Sequence, residues 1–118
     1  MSIIKHLESS GYERAESCCA RGLYGVGKPA LAEYNQKFGT SFTYDDLFVG
    51  HINALVGWWY MGIRIPQMLR YFDIEDTIEN RLIAYNAGIN YLVEKKRIPD
   101  ETVEYLKRYA LEAEGGIR

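Results

Sequence analysis

The stretch Arg81-Leu82-Ile83-Ala84-Tyr85-Asn86-Ala87-Gly88 decides the reading of this chain. Leu82, Ile83 and Ala84 read as the last turns of a buried helix, and Gly88 as the residue whose freedom to take positive φ lets the chain reverse. Tyr85 and Asn86 are mediocre helix formers, and Asn competes for backbone hydrogen bonds. Helix formation therefore does not ask for this pair at the end of a buried helix, where side chains are held rigidly yet stay reachable. The competing reading is a core tyrosine beside a C-terminal cap.

Working outward, Asp73 to Asp76 offers caps for this helix, which also carries Ile78. Asn90 to Lys96 is expected to form a short helix and Ile98-Pro99-Asp100 a break. Glu101 to Glu114 should be a last amphipathic helix with Val103, Leu106, Tyr109 and Ala110 inward. Upstream, His51 to Tyr71 is apolar nearly all round, which predicts a central buried helix kinked or broken near Ile63 because Pro66 removes a backbone donor. Thr43 with Asp46 three residues on predicts a capped brief helix through Phe48. Pro29 suits a first helical turn, Leu31, Tyr34 and Phe38 follow at helical spacing, and Gly39 terminates. Ile3, Ile4 and Leu7 predict a short first helix that Glu8 closes before Ser9-Ser10-Gly11. Gly11 to Lys28 reads as a long ordered loop, which in so short a chain is commonly functional. Alternating strand patterns and hairpin dipeptides are lacking, so the expected fold class is all-α or nearly so.

The 118 residues, 47% of them hydrophobic, suffice for one domain with a single core, and a second domain would have no core of its own. A net charge of −2 gives no general attraction to nucleic acid, and Lys95-Lys96-Arg97 reads as a solvated helix end. Apolar runs stay short of the ~20 residues that span a bilayer, so no integral membrane segment is expected. Met1 to His6 shows no apolar core followed by a small-residue cleavage site, so no signal peptide is expected. The adjacent Cys18 and Cys19 read as reduced thiols in a loop, and with no Cys/His pattern beside them no metal or cofactor is expected.

Gly22-Leu23-Tyr24-Gly25-Val26-Gly27-Lys28 fills seven places of a phosphate-binding loop, but Pro29 occupies the eighth, which must give a hydroxyl and a backbone N–H. Nucleotide binding is therefore not expected. Glu8, at the end of an apolar helix and screened by a loop, is in a setting that raises a carboxyl pKa and suits a general acid. The bland alternative is a surface glutamate at a frayed helix end.

Taken in order, Glu8-Ser9-Ser10, then Ala15, Ser17 and Ala20-Arg21-Gly22-Leu23-Tyr24-Gly25, then Asn53 with Gly57 and Tyr60, then Ala84-Tyr85-Asn86-Ala87-Gly88 and Glu101-Thr102-Val103-Glu104-Tyr105-Leu106 resemble the lysozyme-like domain of lytic transglycosylases, enzymes that cleave bacterial peptidoglycan. The resemblance runs from about Ile4 to Tyr109. Where the family carries Met and Gln, this chain has Tyr24 and Gly25, and the loop between Ser17 and Gly22 is one residue short.

The resemblance implies a lysozyme-like helical domain over residues 1–118 with a single catalytic carboxyl group. Glu8 would protonate the glycosidic oxygen between N-acetylmuramic acid and N-acetylglucosamine, then take the proton of the 6-hydroxyl as it closes on C1 to a 1,6-anhydro product. Ser9, Gly22, Leu23 and Tyr24 would shape sugar subsites, with Tyr24 stacking on a pyranose. Tyr85 and Asn86 would line the cleft, and Tyr105 would reach back toward Glu8. The implied partner is a peptidoglycan glycan strand. A wall-cleaving domain without an export signal fits a phage product, an endolysin released through a holin or an enzyme carried in the virion. Two alternatives stand beside it: a hydrolytic lysozyme using Asp45 or Asp46 as second carboxylate, and a non-catalytic peptidoglycan-binding or virion structural module.

Overall fold

The computed structural model describes residues 1–116. The fold is all-α: the described residues hold α1 (Ser2–Ser9), α2 (Lys28–Phe38), α3 (Gly50–Trp59), α4 (Ile65–Tyr71), α5 (Ile78–Asn86), α6 (Asn90–Val93) and α7 (Asp100–Gly116). A 3₁₀ turn at Asp45–Phe48 and a π-helical turn at Tyr60–Arg64 complete the helical elements. Extended structure among the described residues is confined to antiparallel bridges of Arg21 with Glu16 and with Val26. The contacts gather into two compact units, Met1–Tyr60 and the residues from Met61 onward.

In the first unit α2 lies on α3. Leu31, Tyr34, Val56 and Trp59 are buried, and the Tyr34 ring meets Trp59 edge-on at 5.6 Å. Leu47 on the 3₁₀ turn and Ile4 of α1 are buried as well. The turn has the expected reciprocal cap: Thr43 Oγ1 accepts from the Asp46 N–H at 3.3 Å, and Asp46 Oδ2 accepts from the Thr43 N–H at 2.8 Å. Phe38, expected inward, is half exposed, because one turn past Tyr34 it lies at the fraying end of α2 before Gly39.

In the second unit α5 is the hub and contacts α4, α6 and α7. Ile65, Leu69, Leu82, Ile83, Thr102 and Tyr105 form its buried set. Thr77, rather than Asp73 to Asp76, caps α5 by accepting from the Asn80 N–H at 3.1 Å, while Asp76 pairs with Arg81 at 2.6 Å. The inward face of α7 is led by Thr102 and Tyr105, and Ala110 is exposed; the apolar pattern placed the stripe about one residue off.

The long pattern from His51 to Tyr71 breaks around Ile63 as expected and departs from expectation in its burial. It is not apolar-buried all round, since Leu55, Trp58 and Ile63 are each about half exposed. The break ahead of Pro66 takes the form of the π-helical turn. Proline brings no N–H to residue 62 and its ring crowds that carbonyl, and a wider turn absorbs both effects.

Candidate functional site

The segment after α1 turns back on itself and is pinned by one residue of α3. Arg21 and Val26 exchange backbone hydrogen bonds at 2.9 Å each, and the Gly25 N–H donates to the Gly22 carbonyl at 3.1 Å, so residues 21–26 form a tight reversal. Phosphate cradling would need those N–H groups free. Asn53, fully buried, reads the backbone of this reversal with its whole amide. Its Oδ1 accepts from the Tyr24 N–H at 2.8 Å, and its Nδ2 donates to the carbonyls of Arg21 at 2.8 Å and Leu47 at 2.9 Å. A buried amide with three such bonds fixes the loop against α3. Gly22 (φ +80°) allows the approach, because a Cβ there would collide with the Asn53 amide and the Leu47 carbonyl.

Glu8 lies in the last turn of α1, half buried, and the loop is built around it. Gly25, at φ +59°, passes so close that a Cβ there would strike the Glu8 carboxylate, coming within 2.7 Å of Cδ. Gly25 thus leaves its side-chain space to the glutamate. Ser9 secures the same helix end: its hydroxyl donates to the Lys5 carbonyl at 2.8 Å and accepts from the Gly11 N–H at 3.1 Å, and Ser10 turns left-handed at φ 53°. The Ser9 hydroxyl, expected at a sugar subsite, works as an anchor for the Glu8 turn.

Leu23 lies against Gly50 at the start of α3, whose N–H donates to Glu13 Oε2 at 2.8 Å. Tyr24 does not offer the stacking face expected of it, being only 5% exposed. With its N–H taken by Asn53, its ring turns inward and meets Trp58 edge-on at 6.2 Å. Trp58 is 56% exposed. The sequence reading missed both Asn53, seen only as part of the resemblance, and Trp58, counted as core. The exposed positions His51, Leu55, Trp58 and Gly62, at helical spacing, mark the solvent face that periodicity could have separated from the core.

The acids proposed for a hydrolytic second carboxylate are otherwise engaged. Asp45 accepts from Arg21 Nη1 at 2.7 Å, and Asp46 belongs to the cap with Thr43. Arg21 also donates to Glu16 at 2.5 Å and lies over the rings of Tyr44 at 3.9 Å and Phe48 at 4.7 Å. The hydrogen bond donated to Glu16 first, and that donated to Asp45 after the opposing cost of burial, raise the Arg21 pKa above its ordinary value. The loop between these groups carries a disulfide joining Cys18 and Cys19, which corrects the expectation of reduced thiols. Both residues are exposed in irregular chain, where neither helix nor strand dihedrals keep adjacent side chains apart.

In the second unit the opening octapeptide behaves as read. The N–H groups of Ala87 and Gly88 return to the Ile83 carbonyl at 2.8 and 3.2 Å, and Gly88 takes φ 107°. Tyr85 and Asn86 are half buried after the fully buried Leu82-Ile83-Ala84. Asn86 Oδ1 accepts from the hydroxyl of buried Thr102 at 2.8 Å, tying the end of α5 to α7. Tyr105, one turn further along α7, is 6% exposed and belongs to the core of this unit. The expected site residues thus fall in two groups: Glu8, Ser9, Gly22, Leu23 and Tyr24 come together in the first unit, and Tyr85, Asn86 and Tyr105 lie in the second.

Among the described residues no cluster of three or more His, Cys, Asp or Glu could hold a metal ion, and no helix is long and apolar enough to cross a membrane. No family model, curated protein or solved structure matches this chain.

Proposed function

We propose that the chain is a peptidoglycan lytic transglycosylase of lysozyme-like fold, with Glu8 as its single acid and base. One observation carries the reading: a glutamate at a helix end, with a glycine loop seated against its carboxylate and that loop fixed by a buried asparagine. A surface glutamate at a frayed end has no need of such a cradle.

The chemistry follows from that arrangement. In this reading Glu8, in the last turn of α1, holds the proton of the general acid. Glu8 gives this proton to the glycosidic oxygen linking N-acetylmuramic acid to N-acetylglucosamine as the bond to C1 breaks. The substrate's own acetamido oxygen stabilises the cation at C1. The Glu8 carboxylate then removes the proton of the 6-hydroxyl while that oxygen bonds to C1, which regenerates the acid and yields a 1,6-anhydro sugar without consuming water. Two-carboxylate glycosidases need a base or nucleophile about 5 to 9.5 Å from the acid. The engagement of Asp45 with Arg21 and of Asp46 in its cap favours the one-carboxylate route. Trp58 supplies the apolar face for a pyranose ring. A phage setting, as endolysin or virion-borne enzyme acting on the host wall, is part of the same proposal.

The test is release of soluble fragments from purified peptidoglycan by the wild-type protein and by Glu8→Gln. Release by the wild type and none by a folded Glu8→Gln protein is expected; equal release by both overturns the assignment of the acid.

A further inference from the structure

The two cysteines of the chain, Cys18 and Cys19, form the tip of the hairpin that leads into the Gly25 loop. Behind them the Ser17 N–H donates to the Ala20 carbonyl at 3.0 Å and the Gly22 N–H to the Ala15 carbonyl at 2.8 Å, which pairs Glu16 with Arg21 as antiparallel neighbours. Arg21 pairs in turn with Val26, so it is the middle of three short extended pieces. Between the last two of these pieces lies the reversal that seats Gly25 against the Glu8 carboxylate. The tip itself reaches the chain just beyond that reversal, since a Cβ on Gly27 would lie 3.0 Å from the Cys19 carbonyl.

Both cysteines are exposed, and the side-chain hydrogen bonds at the tip are long: the Ser17 hydroxyl accepts from the Cys19 N–H at 3.4 Å and donates to the Ala20 carbonyl at 3.5 Å. A bond between neighbouring residues closes a ring that contains their own peptide unit, so it restrains the backbone of this turn directly. Opening it returns two tip residues to the freedom of an exposed loop. Exposure also admits an attacking thiolate, and exposed disulfides belong to the reducible class.

We propose that the Cys18–Cys19 disulfide is a redox latch on the loop around Glu8: closed, it holds the hairpin that seats Gly25, and reduced by a cellular dithiol it lets the loop loosen. In the reduction a donor thiolate attacks one cysteine sulfur, the S–S bond breaks, and the other cysteine leaves as a thiolate and takes a proton. The second donor thiolate then displaces the first cysteine from the mixed disulfide. The donor ends as a disulfide and Cys18 and Cys19 as two thiols, with two electrons and two protons transferred. Control of loop order stands independently of the reaction. Control of peptidoglycan cleavage rests on the function proposed above, and would leave the enzyme slack in a reducing compartment and set it in an oxidising one.

The experiment follows amide exchange by ¹⁵N NMR in the full-length protein after air oxidation, after dithiothreitol and after reoxidation, with reactive thiols counted in each state. Oxidised protein should show none and reduced protein two. Because the chain has no other cysteine, a thiol–disulfide effect of the reductant passes through this pair. Reduction is expected to speed exchange at Gly22 and Gly25 about tenfold, the scale of closure entropy for so small a ring, while α7 keeps its rate. Reoxidation should restore protection. The double variant Cys18→Ser with Cys19→Ser should exchange like the reduced protein and ignore dithiothreitol. Reactive thiols in the oxidised protein, equal exchange in the two states, or acceleration that stops at Ala20 or spreads equally to α7 each overturns the latch. Release of peptidoglycan fragments should fall on reduction, and equal release despite faster exchange overturns the control of cleavage. No release in either state sinks the catalytic reading, while the exchange rates still decide the latch.

Discussion

Replacing Asn53 by alanine tests whether the loop around Glu8 is fixed from α3. The substitution removes three hydrogen bonds, at 2.8, 2.8 and 2.9 Å, from a fully buried position. The Arg21 carbonyl keeps its bond from the Val26 N–H, but the Tyr24 N–H and the Leu47 carbonyl lose the amide that paired them. At about 1 kcal/mol per bond, the loss is about 3 kcal/mol. At roughly 4 °C per kcal/mol for a chain of this length, the melting temperature should fall by about 12 °C. Urea unfolding read by the fluorescence of Trp58 and Trp59, both in the first unit, measures the loss. Amide exchange at Tyr24 reports the bond itself and should accelerate well beyond that of α2. A loss below about 0.5 kcal/mol, the range of ordinary surface changes, or unaltered protection at Tyr24, would refute the clamp.

Gly25→Ala places a Cβ against the Glu8 carboxylate at a left-handed backbone, whereas Gly39→Ala carries a similar backbone cost, about 1 to 2 kcal/mol, with open space around it. Activity should therefore collapse in the first and persist in the second at comparable stability; parallel activities would show that Gly25 does not serve Glu8. Trp58→Ala should raise KM several-fold and cost about 1 kcal/mol, the value of its edge contact with Tyr24; a large stability loss with unchanged KM would make it a packing residue. Asp76→Asn probes pH dependence. The Arg81 hydrogen bond holds the Asp76 carboxyl below its ordinary value, so its stabilisation is present above that value and lost as pH falls through the lower folded one. Wild type should be the more stable by about 0.5 kcal/mol at neutral pH, with solvent screening included, and the gap should close below about pH 4. A gap that widens in acid would contradict the pairing.

The parts of this fold legible in the sequence were those set by local dihedral chemistry. The stop after Glu8, Pro29 opening α2, the cap of Thr43 with Asp46, and the reversals at Gly39 and Gly88 depend on residues within a turn of one another. What sequence reading missed is non-local. Asn53 acts on Tyr24 across 29 residues, and the Tyr24 ring is turned inward while Trp58 stays exposed. An apolar pattern records that Trp58 is hydrophobic and is blind to whether anything covers it. The same limit misplaced the inward face of α7, where buried Thr102 is held by a hydrogen bond to Asn86. At the candidate site, Glu8 could be singled out by its place at a helix end, whereas the fit of Gly25 against its carboxylate depends on how the loop folds back.

The central claim is that one carboxyl group cleaves the glycan and closes the 6-hydroxyl onto C1. Mass spectrometry of the soluble muropeptides from purified peptidoglycan tests it directly. The account predicts fragments ending in 1,6-anhydro sugar, lighter by one water than hydrolysis products, from wild type and none from Glu8→Gln. Reducing-end fragments from the wild type would contradict the one-carboxylate mechanism, and no fragments at all would contradict the enzymatic reading.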